Sequence, residues 1–171
     1  FPPPSHPTPA SVVLAVDGVL DGLRATRGVT HATALSHLPL SGARLQSSVR
    51  LEGLPPADDP DGPSAAIVVA EESAFDVLGI TLLRGRLLDA RDRAGTEPVT
   101  VINEAAAAAF WPTGDALGRR LAYAADSTGA LVWRRIVGIV ADTRYAGPAV
   151  PALATVYEPF RQTGDVWRWF G

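Results

Sequence analysis

The stretch from Asn103 to Leu121, NEAAAAAFWPTGDALGRRL, decides how the rest of the chain is read. Just before it, residues 98–102 (Pro-Val-Thr-Val-Ile) form a short apolar run rich in β-branched side chains, the pattern of a buried strand. Asn103 is placed to cap a helix over residues 104–111 through its side-chain oxygen. Pro112 ends that helix, because proline disfavours helical geometry in the residue before it. This joint is structural: it contains no nucleophile, metal cage or phosphate cradle.

Downstream, residues 118–123 and 131–142 read as strands separated by the turn Asp126-Ser-Thr-Gly. In Ile136-Val-Gly-Ile-Val, Gly138 marks a bulge or a close backbone approach. Residues 154–160 supply a last strand, and the tail Val166-Trp-Arg-Trp-Phe is strongly aromatic.

Upstream, residues 1–9 hold five prolines and form an extended lead-in. From Ala10, the positions Val12, Val16, Val19, Leu20 and Leu23 fall on one face of an amphipathic helix. Gly18 and Gly22 weaken it by roughly 1 kcal/mol each relative to alanine, and Asp17 and Asp21 repel one turn apart. Packing must therefore hold it. Arg27 and Gly28 suggest its end. Residues 29–37 read as a strand, and alternation over 47–52 reads as a second one that is half-buried. The loop PPADDPDGP (55–63) is an exposed turn; its aspartates lack the glycine and closing glutamate of a calcium loop. Residues 65–70 read as a strand buried on both faces, and 71–78 as a helix with solvated acids Glu71 and Glu72 at its start and Gly79 closing it. Residues 80–83 read as a strand ending in a tight, basic turn at Arg84-Gly-Arg, and Asp89 and Asp92 interleave with Arg84, Arg86, Arg91 and Arg93 and favour local ion pairs.

Composition narrows the function classes. The 171 residues are 47% apolar, enough for a core, and the net charge of −3 provides no basic field for nucleic acid or an anionic membrane. No lysine, methionine or cysteine is present. That excludes Walker and Schiff-base lysines, disulfides and thiolate catalysis. Without an initiator, the chain reads as a piece of a longer protein. No apolar run approaches the roughly 20 residues of a membrane-spanning helix, so the piece itself is expected to be soluble. On a strand, His31 and His37 would lie about 20 Å apart, too far for one metal ion. No G-x-S-x-G or G-x-G-x-x-G motif occurs. No catalytic, cofactor-binding or metal residue is therefore assigned.

Taken together, the blocks resemble a family. Asn103-Glu104, Phe110-Trp111-Pro112, Gly114-Asp115 and Leu117-Gly118-Arg119-Arg120-Leu121 are similar to a block in the periplasmic core domain of MacB-like ABC transporter permeases. Three other stretches agree with that family in the same order: Leu38-Pro-Leu-Ser-Gly; Phe75 with Leu78-Gly-Ile and Leu83-Arg-Gly-Arg; and Ile136-Val-Gly-Ile-Val with Val156-Tyr157-Glu158-Pro159-Phe160-Arg161-Gln162. Glu72-Ser-Ala and the alanine run after Glu104 depart from the family pattern.

The resemblance implies an α+β, two-lobed MacB-like periplasmic core domain. Residues 1–9 would be the lead-in, 10–45 the first part of a porter-like lobe, 46–162 a middle, sabre-like lobe with return strands, and 163–171 a tail. The family's further strand-helix-strand piece is not seen, so the porter-like lobe is read as incomplete. A helix face of Val12, Val16, Val19 and Leu23 would then lie open and favour self-association. Asn103, Glu104, Phe110, Trp111, Pro112, Gly114, Gly118, Gly138, Tyr157 and Pro159 would be structural signature positions. The implied role is non-catalytic, at the periplasmic face of the bacterial inner membrane, coupling ATP hydrolysis elsewhere to export or to other extracytoplasmic work. Implied partners are a nucleotide-binding ATPase subunit or domain, a periplasmic adaptor, and a second copy in a full-length homodimer. Two rivals remain: an FtsX-type module regulating a cell-wall hydrolase, and a soluble enzyme with a deep polar pocket.

Overall fold

A computed structural model describes residues 8–38, 46–54, 62–123, 128–143 and 150–163. Readings that fall on 1–7, 39–45, 55–61, 124–127, 144–149 and 164–171 lie outside the described residues. They include most of the proline-rich lead-in, the turn after Leu38, most of the aspartate loop, part of the turn at Asp126 and the aromatic tail.

Eight strands form one mixed sheet: β1 (Gln46–Ser48), β2 (Arg50–Leu51), β3 (Ser64–Ala70), β4 (Leu82–Gly85), β5 (Val99–Asn103), β6 (Arg120–Ala122), β7 (Arg134–Val140) and β8 (Thr155–Pro159). The order is β1-β3-β8-β5-β7-β6-β2, with β4 also on β7. The pairs β3/β8 and β5/β7 are parallel, the rest antiparallel. β7 is shared: its start pairs with β6 through Arg120 and Arg135, its end with β4 through Gly85 and Gly138.

The single strand expected over 47–52 is two. β1 and β2 stand at opposite ends of the strand order, yet only Val49 separates them in sequence. The run bends at that buried residue, whose N–H donates to the Pro63 carbonyl at 2.7 Å. Before the bend it pairs with β3, after it with β6, so the chain joins the sheet's two ends. The alternation of Val49 and Leu51 with Arg50 and Glu52 persists because one side of the run still faces the core.

The rolled sheet has an inner and an outer apolar face. The inner face draws Leu51, Ile67, Ile102, Leu121, Ile136, Ile139 and Val156 from six strands and is completed by Ala106, Phe110 and Trp111 around α3 (Glu104–Phe110). The outer face holds Val68, Val99, Val101, Val137, Val140 and Tyr157 with Phe75 of α2 (Ala74–Leu78). β7 keeps both faces only by a bulge: its register with β5 shifts between Thr100 and Val101, so Ile136 and Ile139 point inward while Val137 and Val140 point outward. Gly138 serves the bulge and a close approach together. A Cβ there would lie 2.0 Å from the Arg86 carbonyl oxygen.

Helix α1 (Pro9–Arg24) begins one residue before the expected start, because Thr8 forms a capping box with Ser11. It ends at Arg24 with Ala25 as cap, three residues before Arg27 and Gly28. Its apolar seal is narrower than the periodicity suggests. Val12 and Leu20 are buried, with Val12 against Val69 and Phe160, but Val19 and Leu23 are exposed. Residues 29–37 do not form a strand; they run beside the end of β3 with one bridge, Leu35 to Ala70. α2 starts at Ala74, not Glu71, and closes on Gly79 at φ 67°. The arrangement is α+β.

Candidate functional site

The rolled sheet is occupied differently at its two ends. At one end, Asn103 links β5, α3 and β8. Its Oδ1 accepts from the N–H groups of Ala106 (3.0 Å) and Thr155 (2.8 Å). Its Nδ2 donates to Asp142 Oδ1 (2.7 Å) and the Leu153 carbonyl (2.8 Å). Fully buried, this amide uses both its donors and both its lone pairs. Phe110 and Trp111, at the far end of α3, lie in the inner core edge to face with ring centroids 5.9 Å apart.

At the opposite end the inner face turns polar. Arg134 donates from Nε (2.9 Å) and Nη2 (2.6 Å) to Glu158 Oε1, and both residues are buried. The guanidinium carbon lies 4.3 Å from the centroid of the Tyr123 ring. Among the described residues the buried Tyr123 hydroxyl meets no hydrogen-bond partner in good geometry. Burial first, and the Glu158 charge second, push its pKa well above the ordinary phenol value. Above the pair lies a cavity of about 120 Å³ lined by Arg93, Thr96, Val132, Arg134, Glu158 and Gln162, among others. Arg134 and Glu158 neutralise each other, and among the described residues no histidine or serine lines the space.

The last turn of the described chain, a 3₁₀ segment at Phe160–Gln162 following β8, lies beside this cavity. The Gln162 side chain accepts from the Val99 N–H (3.0 Å) and donates to Thr96 Oγ1 and the Glu97 carbonyl (both 2.8 Å). Arg161 grips α1, with Nη1 and Nη2 each 2.8 Å from an Asp17 carboxylate oxygen and Nε 3.3 Å from Glu72. Its carbonyl accepts the Ala94 N–H at 2.8 Å.

Glu71 and Glu72 correct the reading of solvated helix-start acids. Glu71 is buried because Arg24 and residues 32–33 fold over it; its carboxylate accepts from Arg24 (3.3 Å), Thr33 (3.0 Å) and the Ser73 N–H (3.0 Å), and also from the Ser73 hydroxyl. Burial raises its pKa, but these hydrogen bonds outweigh it and the net shift is downward. The arginine–aspartate turn pairs locally as expected: Arg86 holds Asp92 at 2.7 and 2.8 Å, and Arg91 holds Asp89 at 2.7 Å. The Arg91 hydrogen bonds keep Asp89 well below the usual carboxylate range. Arg84 instead reaches the distant Asp115 at 2.6 Å.

The signature positions do not form one site. Asn103 is buried at the joint of β5, α3 and β8, Phe110 and Trp111 are buried in the inner core, and Glu104, Pro112 and Gly114 are exposed. Gly118, at φ 81°, donates its N–H to the Ile136 carbonyl at 2.9 Å. Gly138 is the bulge, Tyr157 packs on the outer face against Phe75 at 5.2 Å, and Pro159 ends β8. His31 is exposed, and the His37 ring meets Ser36 Oγ at 2.9 Å. Among the described residues no group of three or more histidine, aspartate or glutamate side chains could hold a metal ion.

The Arg134–Glu158 pair was not singled out from sequence, because its partners are 24 residues apart. One signal was present: each charge sits two residues from an inward apolar position, Ile136 and Val156, on a strand that is otherwise core.

No protein-family model matches the sequence, and no curated protein does. Solved structures share the architecture. The periplasmic region of MacB from Actinobacillus actinomycetemcomitans aligns with a TM-score of 0.59 at 18% identity, over 91% of this chain and 58% of that one. The chain has the fold of a MacB-like periplasmic domain. The extracellular domain of YknZ, a noncanonic ABC-type transporter from Gram-positive bacteria, aligns at 0.56 with 16% identity, over 84% of this chain and 62% of its own. A domain assigned to a permease of Porphyromonas gingivalis aligns at 0.56 with 22% identity, over 83% and 56%. This chain thus spans less than two thirds of each of these MacB-like structures.

Proposed function

We propose that this chain is the extracytoplasmic, non-catalytic part of an ABC transporter permease, which moves in response to ATP hydrolysis by a separate nucleotide-binding subunit or domain. The observation that carries this is the MacB-like fold across 91% of the chain. The chemistry fits: the polar end of the sheet is neutralised internally by Arg134 and Glu158, and it offers shape and hydrogen bonds in place of a reaction centre. In this reading, residues 10–45 begin a porter-like lobe and 46–162 form the middle lobe with its return strands. The parent protein sits in the bacterial inner membrane with this domain on its outer side, acting as a homodimer on a substrate or with a periplasmic adaptor.

The test is to purify the parent protein from its native membrane and ask what comes with it. A nucleotide-binding ATPase, together with loss of transport when the domain is deleted, is the expected result. Co-purification of a cell-wall hydrolase in place of an adaptor would move the role to regulation. A parent protein lacking apolar spans beside this segment would end the permease reading.

A further inference from the structure

We infer that the 3₁₀ turn Phe160–Gln162 is a relay that couples α1 to the cavity at the polar end of the rolled sheet, so that displacing one shifts the other. This goes beyond the permease reading and stands without it.

Consider first how α1 is attached. Among the described residues its apolar seal is small: Val12 packs against Val69 and Phe160, with Val13 and Val16 at its margin, and Leu20 is buried further along the helix. Polar contacts flank that seal: Asp17 in the Arg161 fork, and Arg24 on Glu71 (3.3 Å), on the Ala32 carbonyl (2.9 Å) and on Ser73 (3.4 Å). Inside the helix, Gly18 and Gly22 would each place a Cβ in open space, so no contact with the body requires them. A helix with two interior glycines, a small apolar seal and a polar clasp has a low free energy of local opening compared with the inner core.

The clasp has a second side. Arg161 holds α1 with its side chain and the Ala94 N–H with its carbonyl. The next residue, Gln162, holds the Val99 N–H, Thr96 and the Glu97 carbonyl. Arg93, Thr96 and Gln162 all line the cavity, and Glu158 at its floor is only three residues before Arg161 on the same strand-to-turn run. A turn this short cannot release Asp17 and rotate without moving the groups that hold residues 94–99. The coupling runs through one short stretch of backbone with bonded partners on both sides, the kind of contiguous physical connection that energetic coupling needs.

The experiment is site-resolved amide exchange on this chain and on Asp17→Asn, an isosteric change on α1 that weakens the fork to Arg161 and leaves the residues of the turn and of the cavity lining unaltered. Expected are faster exchange across residues 12–24, by about tenfold, and a smaller but clear acceleration at Ala94 and Val99, with Ile102 and Ile136 unchanged. Arg161→Met, made from the other side, should give the same pattern, because coupling is reciprocal. Acceleration confined to α1 in Asp17→Asn overturns the relay, as does no change anywhere. Uniform acceleration that includes Ile102 and Ile136 also overturns it, since the domain would then open only as a whole.

Discussion

The inner face of the rolled sheet and helix α1 are held by different physics. The first is an apolar layer drawn from six strands and completed by Phe110 and Trp111; the second is a helix with a small apolar seal, Val12 and Leu20, clasped by Arg161 and Arg24. Burial of apolar area is non-directional and tolerates little displacement in a close-packed interior. A two-oxygen fork on one guanidinium is directional and local, and it can open without disturbing the layer behind it. Non-directional packing and directional clasping are thus assigned to separate parts of one small domain.

Opening the apolar layer should break the first region most severely. Trp111 is buried in the inner core, and Trp111→Ala is expected to cost about 3–5 kcal/mol in urea unfolding. A midpoint equal to that of the parent would place Trp111 outside the core and erase the contrast. Next in size is Gly138→Ala, which drives a methyl group into the Arg86 carbonyl and should cost about 3 kcal/mol through displacement of β4. A neutral result would mean that β4 yields freely and that the sheet is less rigid than α1's attachment. Smaller and opposite in sign is Gly18→Ala. With open space at that position, it should stabilise α1 by about 0.5–1 kcal/mol, read as slower exchange in residues 12–24 alone. Loss of stability there would reveal a neighbour packed against that face.

The smallest effect concerns acid. The folded-state pKa of Glu71 is depressed, so its contribution is complete above the ordinary glutamate value and is lost as pH falls through the lower, folded value. Between about pH 5 and pH 3, exchange in α1 should therefore quicken before the inner core responds, and Glu71→Gln should flatten that dependence. Simultaneous loss of protection in both regions would show that Glu71 does not distinguish them.

Much of this division was legible in the residues. The strand into Asn103, its cap on α3, the doubly buried β3 and the bulge at Gly138 all follow from local rules, since strand burial, capping and close approach each leave a mark within a few positions. Long-range pairing left no such mark. Periodicity placed Val19 and Leu23 on the apolar face of α1 but could not tell how wide a neighbour would cover it. Glu71 looked like a solvated helix-start acid because its partners, Arg24 and Thr33, come from 47 and 38 residues away. The alternation over 47–52 correctly marked an extended run, yet nothing local encodes a run whose two halves pair with different strands. The polar end was the least visible, because Arg134 and Glu158 become a pair only when β7 and β8 are brought onto one inner face.

The bend at Val49 has a mechanical consequence. An open sheet yields to load by peeling, one rung of hydrogen bonds at a time from a free border. Here Gln46–Ser48 is zipped to β3 and Arg50–Leu51 to β6 by the same six-residue run, so no peel can start there without first tearing that run from both neighbours together. Tension entering near α1 would meet a hoop, and a hoop passes load around its circumference instead of unravelling.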